Sequence, residues 1–132
     1  MLDTPPRNFF AALANQTRLR ILVLLAHAGE LCVCELTQAI GVSQPHISRQ
    51  LAQLRESTLV ADRRAGTWIY YRIHPELPDW ARRVLRETAT ALVSTDPFRS
   101  DASNLATMVN RPDAPRCQSG LVAADAWDTA PT

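Results

Sequence analysis

Cys32 and Cys34 are two of only three cysteines in a chain of 132 residues, and a single valine separates them. Two thiolates so close in sequence can chelate one soft ion. On a regular helix, however, residues two apart point about 200° from each other. Chelation therefore needs this segment extended, or unwound at the start of a helix. A helix N-terminus also favours the thiolate, because its unpaired N–H groups stabilise negative charge. Binding there distorts the helix that follows. The alternative is packing alone, since free cysteine often serves as a small buried hydrophobe.

The elements around the pair follow from periodicity and punctuation. Residues 9–14 form a short apolar helix ending near Asn15, and Thr17 is a candidate cap for a second helix, with apolar Leu19, Leu22 and Val23, that stops at Gly29. A short helix is expected over 33–40, closed by Gly41. Ser43 then caps another that runs to about residue 56, with Pro45 in its first turn. Residues 59–64 and 67–73 read as two arms of a β-hairpin turning at Ala65-Gly66, the second arm rich in aromatic and β-branched residues. A last helix is expected over 76–93, with Trp80, Val84, Leu85, Thr88 and Leu92 as its stripe. From Thr95 onward periodicity disappears, so the chain divides into a folded domain over 1–94 and a flexible C-terminal tail over 95–132.

A helix, a glycine turn, a capped second helix and a basic hairpin make a winged helix-turn-helix, mostly α with a small β-hairpin. With Ile47 as the buried reference, Leu51 and Leu54 fall within about 40° of it. Arg49, Gln53 and His46 fall on the opposite half, with Gln44 and Ser48 at the flanks, and such side chains hydrogen-bond base edges and phosphates. Arg63 and Arg64 are expected near the hairpin tip, within reach of phosphates. An ordinary solvated helix face is the bland reading of any one of these residues, but not of the constellation. Residues 43–74 carry Arg49, Arg55, Arg63, Arg64 and Arg72 against Glu56 and Asp62, a net +3, although the whole chain carries only +1. Operators are usually read as two half-sites, so a homodimer is expected, paired through apolar surface of the first and last helices.

Hydrophobic content of 46% and charged content of 20% suit one soluble domain. The sequence shows no secretory signal pattern and no run of the roughly 20 apolar residues a membrane span needs. Three cysteines make a poor disulfide framework, and a cytoplasmic location without membrane contact is expected.

These residues resemble the arsenic-repressor (ArsR/SmtB) family. The likeness rests on Glu30-Leu31-Cys32-Val33-Cys34-Glu35-Leu36, on Ala14-Asn15-Gln16-Thr17-Arg18-Leu19-Arg20-Ile21-Leu22, and on Val42-Ser43-Gln44-Pro45-His46-Ile47-Ser48-Arg49-Gln50-Leu51, and it covers about residues 9–93. It implies a dimeric repressor with no permanently bound cofactor, released from operator DNA by As(III) or Sb(III), or by a soft divalent metal. It implies Cys32 and Cys34 as ligands, often with a third cysteine three residues on. Here Thr37 holds that place. Either the site is completed from solution or Cys117 supplies a third thiolate, across a loop from Val93 with an rms reach of about 25–30 Å. The second metal site of zinc-sensing relatives is not expected, because the last helix has no histidine. Competing readings are a cadmium, lead or zinc sensor on the same scaffold, a thiol redox sensor, a DNA-binding module without ligand, and, from another class, a small thiol enzyme. The last lacks both a Cys-x-x-Cys and a phosphate-cradling loop.

Overall fold

A computed structural model describes residues 4–108. Its elements in order are α1 (Pro6–Leu13), α2 (Gln16–Ala28), β1 (Glu30–Cys32), α3 (Val33–Ile40), α4 (Gln44–Glu56), β2 (Val60–Ala65), β3 (Trp68–Ile73), α5 (Asp79–Leu92) and α6 (Phe98–Ala106). Helix α2 is the hub. Every residue from Ile21 to Ala26 is buried, as expected of a helix with neighbours on all sides. Its cap is Asn15, whose Oδ1 accepts from the Arg18 N–H at 3.0 Å. Thr17, the expected cap, already lies inside the helix and turns its hydroxyl to His46 instead.

The helix-turn-helix forms as its punctuation indicates. Gly41 closes α3 in the left-handed region at φ 81°, where a side chain would be strained, and Ser43 caps α4 by accepting from the His46 N–H at 3.3 Å. Ile47, Leu51 and Leu54 are each 0% exposed, which places the buried face of α4 where the phases put it.

The sheet has three strands rather than two. The expected hairpin is present as β2 and β3, turning through Gly66 at φ 63° and Thr67, and β1 pairs antiparallel with the other side of β3 to give the order β1-β3-β2. Three residues are too few to show a strand's alternation, which is why β1 reads as a loop in the sequence.

Two expectations for the C-terminal part are corrected. Helix α5 starts at Asp79 rather than 76, after Pro78, and the side it buries is Ala81, Arg82, Leu85 and Ala89; Trp80, Val84, Thr88 and Leu92 are only half buried. The domain also does not end at 94. Helix α6 lies across α2, α3 and α5, with Phe98 packed beside Val23, Ala26 and Ala89, and Leu105 in the main core. Asp101, 1% exposed, holds Arg20 of α2 with both carboxylate oxygens at 2.7 and 2.8 Å. Residues 95–108 are therefore part of the folded unit. No single helix among the described residues is long and apolar enough to cross a membrane. The α1–α2 pair has the length, but it is bent by 97°.

Candidate effector site and nucleic-acid interface

The two thiols sit on either side of a change in backbone. Cys32 is the last residue of β1 and the N-cap of α3, with extended φ −90° and ψ 169°, whereas Cys34 is already helical. The pair is thus extended at one end and wound at the other. Cys32 and Glu35 form a capping box: the Glu35 carboxylate accepts from the Cys32 N–H at 2.9 Å, and the Cys32 sulfur faces the Glu35 N–H. Cys32 is 1% exposed. Burial pushes its thiol up to about 11, against the pull of the Glu35 N–H, so it keeps its proton at neutral pH. Cys34 is half exposed, and its Sγ accepts from the Gln38 carboxamide at 3.4 Å. The two sulfurs have different partners, the Glu35 N–H for Cys32 and the Gln38 carboxamide for Cys34.

Thr37, one helical turn beyond Cys34, has a buried hydroxyl with no hydrogen-bond partner. Among the described residues no group of three or more His, Cys, Asp or Glu side chains gathers as a metal site. As donors, two thiols suit a thiophilic ion, but here Cys32 is buried in its capping box and only Cys34 is partly exposed. Cys117 lies outside the described residues.

On α4, Gln44, Ser48, Arg49 and Gln53 are exposed on one side of the helix. His46 is half buried, and its Nε2 meets the Thr17 hydroxyl at 3.1 Å, which ties the first turn of α4 to α2. Arg18 was not singled out by the sequence, yet it organises this face. Its Nη1 donates to the Gln50 and Gln53 side-chain oxygens at 2.9 and 2.7 Å, while its Nε and Nη2 donate to the Ala12 and Ala11 carbonyls in the last turn of α1. Arg18 therefore fixes α4 against α1. Only the fold could reveal the link to α4, because Gln50 and Gln53 lie thirty-two and thirty-five positions away.

Both hairpin arginines lie near the tip, but they differ in what they touch. Arg64 is exposed and opposite Ile69, one pair short of the tip. Arg63 does not stand free at the tip: its Nε and Nη2 donate to both Glu30 carboxylate oxygens at 2.8 and 2.9 Å, and its guanidinium lies 5.0 Å from the centre of the Tyr70 ring. Glu30, Glu35 and Gln38 were also missed as residues around the thiols. Only Glu35 had a sequence signal, the cap-to-third-residue spacing of a capping box.

Residues 15–62 match the family model described as "Bacterial regulatory protein, arsR family". The chain is similar to the arsenic resistance transcriptional regulator ArsR1 of Pseudomonas putida, 50% identical over 112 residues that make up 85% of each chain. A stretch of 112 among 132 residues necessarily takes in α6. Among solved structures it is similar to the AntR antimony-specific transcriptional repressor, at 34% identity and a TM-score of 0.54 over 67% of this chain and 77% of that one. It is also similar to the homodimeric winged helix-turn-helix DNA-binding domain of a possible ArsR-family regulator from Mycobacterium bovis, at 39% identity and a TM-score of 0.53 over 68% and 77%.

Proposed function

This chain belongs to the arsR family of bacterial regulatory proteins, and on that footing we propose that it is a repressor that holds operator DNA as a homodimer and lets go when Cys32 and Cys34 capture trivalent arsenic or antimony. A transcriptional regulator of this winged helix-turn-helix kind is not an enzyme. The observation that carries the effector reading is the position of the thiols at the junction of β1 and α3, the first helix of the helix-turn-helix. Cys34 meets the ion first, because its sulfur is accessible. Cys32 must then leave the capping box and give up its proton, which departs as water with the arsenic or antimony hydroxyl that the sulfur displaces; this frees the first turn of α3 and shifts α4 from its register on DNA.

A thiophilic ion with three-coordinate preference needs one more donor. Met108 and Cys117 are nine positions apart, a contour of about 30 Å. The chain sets out from beside α3, since the Asn104 carboxamide donates to the Ala39 carbonyl at 3.0 Å. That reach supports Cys117 as the third thiolate, in the same subunit or its partner. Gln44, Ser48, Arg49 and Gln53 read or position the DNA, His46 holds the reading helix, and Arg64 meets phosphate. The dimer seam lies along α1 and α5, where Phe10 is 51% exposed beside Phe9 and Trp80.

Anisotropy with a duplex selected from a random pool by the unmodified protein tests the reading. Arsenite is expected to release it, and Cys32→Ser or Cys34→Ser to keep affinity but lose release. Cys117→Ser loses release if the tail supplies the third ligand. Release by cadmium, lead or zinc and not by arsenite or antimonite would assign a divalent sensor. Unaltered release in the double variant lacking Cys32 and Cys34 would overturn the site.

A further inference from the structure

The thiol segment and the wing are one sheet, and this leads to an inference that rests on the effector reading above. Strand β1 places Cys32 opposite Tyr70 of β3, and Tyr70 is opposite Arg63 of β2, so the three share one row and one face. Glu30, on the same face, reaches over β3 to Arg63 with a two-pronged ion pair. That pair spans two strand spacings, about 9–10 Å, and ties the outer strand of the wing to the strand that carries Cys32. Tyr70 lies beneath it, 3% exposed.

We infer that Glu30 and Arg63 brace the wing, and that capture of the ion by Cys32 and Cys34 undoes this brace, so that the wing is released together with the reading helix. The reason is steric. At 1% exposure the Cys32 sulfur cannot meet an ion held by Cys34 while Cys32 stays paired with Tyr70 and inside its capping box. A strand of only three residues has little to hold its remaining pairs once the last one leaves. Glu30 then loses the position from which it grips Arg63. A loosened wing must be ordered again on DNA, so its phosphate contacts, Arg64 among them, weaken. Glu30 is thus a positioning residue for release and touches neither ion nor DNA.

Hydrogen–deuterium exchange on the full chain tests this, with capture of arsenite followed in the same samples by the thiolate–arsenic absorption in the near ultraviolet. Bound arsenite is expected to speed exchange several-fold over Trp68–Ile73 while amides of Gln16–Ala28 keep their rates, which separates a released wing from general unfolding. Glu30→Ala should capture arsenite as the wild type does. Its Trp68–Ile73 exchange should already be fast without arsenite, with a smaller further rise on binding. The charge-swapped Glu30→Arg, Arg63→Glu protein should return to wild-type behaviour. Captured arsenite with unchanged or slower exchange over Trp68–Ile73 overturns the inference, as does a Glu30→Ala protein indistinguishable from wild type. Absence of the absorption would instead overturn the effector reading, and the resting exchange of Glu30→Ala would still report on the brace.

Discussion

Cys32 and Cys34 differ by two positions in sequence and by their whole environment in the fold. The first is 1% exposed, with its thiol pushed up to about 11 by burial; the second is half exposed beside Gln38. Only the thiolate alkylates, so at pH 7.5 iodoacetamide is expected to label Cys34 well before Cys32, and arsenite to protect both. Mass spectrometry of time points reads the order, and equal rates would mean that Cys32 is not buried in solution. For Cys32 the rate should climb with pH toward about 11, because the thiolate fraction rises over that range. Among the arginines, Arg49→Ala should weaken operator binding by about 1–3 kcal/mol if it reads a base. Arg63→Ala should cost less direct contact energy, since its guanidinium is engaged by Glu30.

Helix α6 shows how an element can be missed. Thr95 to the C-terminus is rich in Asp, Ser, Asn, Ala and Pro, the composition of a solvated tail. Yet Phe98, Ala102 and Leu105 recur at helical spacing, and Asp101 falls between them to meet Arg20. Arg20 also donates to the Ile40 carbonyl at 3.0 Å, so this ion pair steadies the end of α3 next to the turn before α4. Asp101→Asn leaves the guanidinium without its carboxylate and is expected to destabilise the fold by about 3 kcal/mol, read by urea unfolding. A chain truncated after Ser94 should be less stable than one truncated after Met108, because Val23, Ala26 and Ala89 lose the cover of Phe98. Equal stability of the two truncated chains would mean that α6 contributes nothing to the fold.

At the scale of the whole molecule, the proposed seam joins two reading helices and so sets the spacing of half-sites. Phe10 projects from α1, 51% exposed, with its ring 5.1 Å from Phe9 and 6.2 Å from Trp80. Phe10→Asp removes little buried area within one subunit, so it should fold. It should sediment as a monomer and bind operator DNA far more weakly. A dimer with unchanged affinity would move the seam away from α1. Arg18 would couple the proposed seam to the proposed reading helix, since one guanidinium holds the end of α1 and both Gln50 and Gln53 of α4.

Local rules encode the features that could be read before any fold was known. Gly41, Ser43 and Pro45 punctuate the turn of the helix-turn-helix, the spacing of Ile47, Leu51 and Leu54 sets the buried side of α4, and Gly66 turns the wing. Each signal lies within a few residues of the feature it specifies, and the same runs carried the family resemblance. Tertiary structure alone decided which polar groups meet. The Thr17 hydroxyl goes to His46 and leaves the cap of α2 to Asn15; Arg63 pairs with Glu30, thirty-three positions away; Asp101 reaches Arg20 across eighty-one. Polar side chains have many acceptable partners, and periodicity says only which side of an element they leave from. Pairing between distant strands and the docking of a last helix choose among those partners. That choice made Cys32 a buried strand residue bound to the wing.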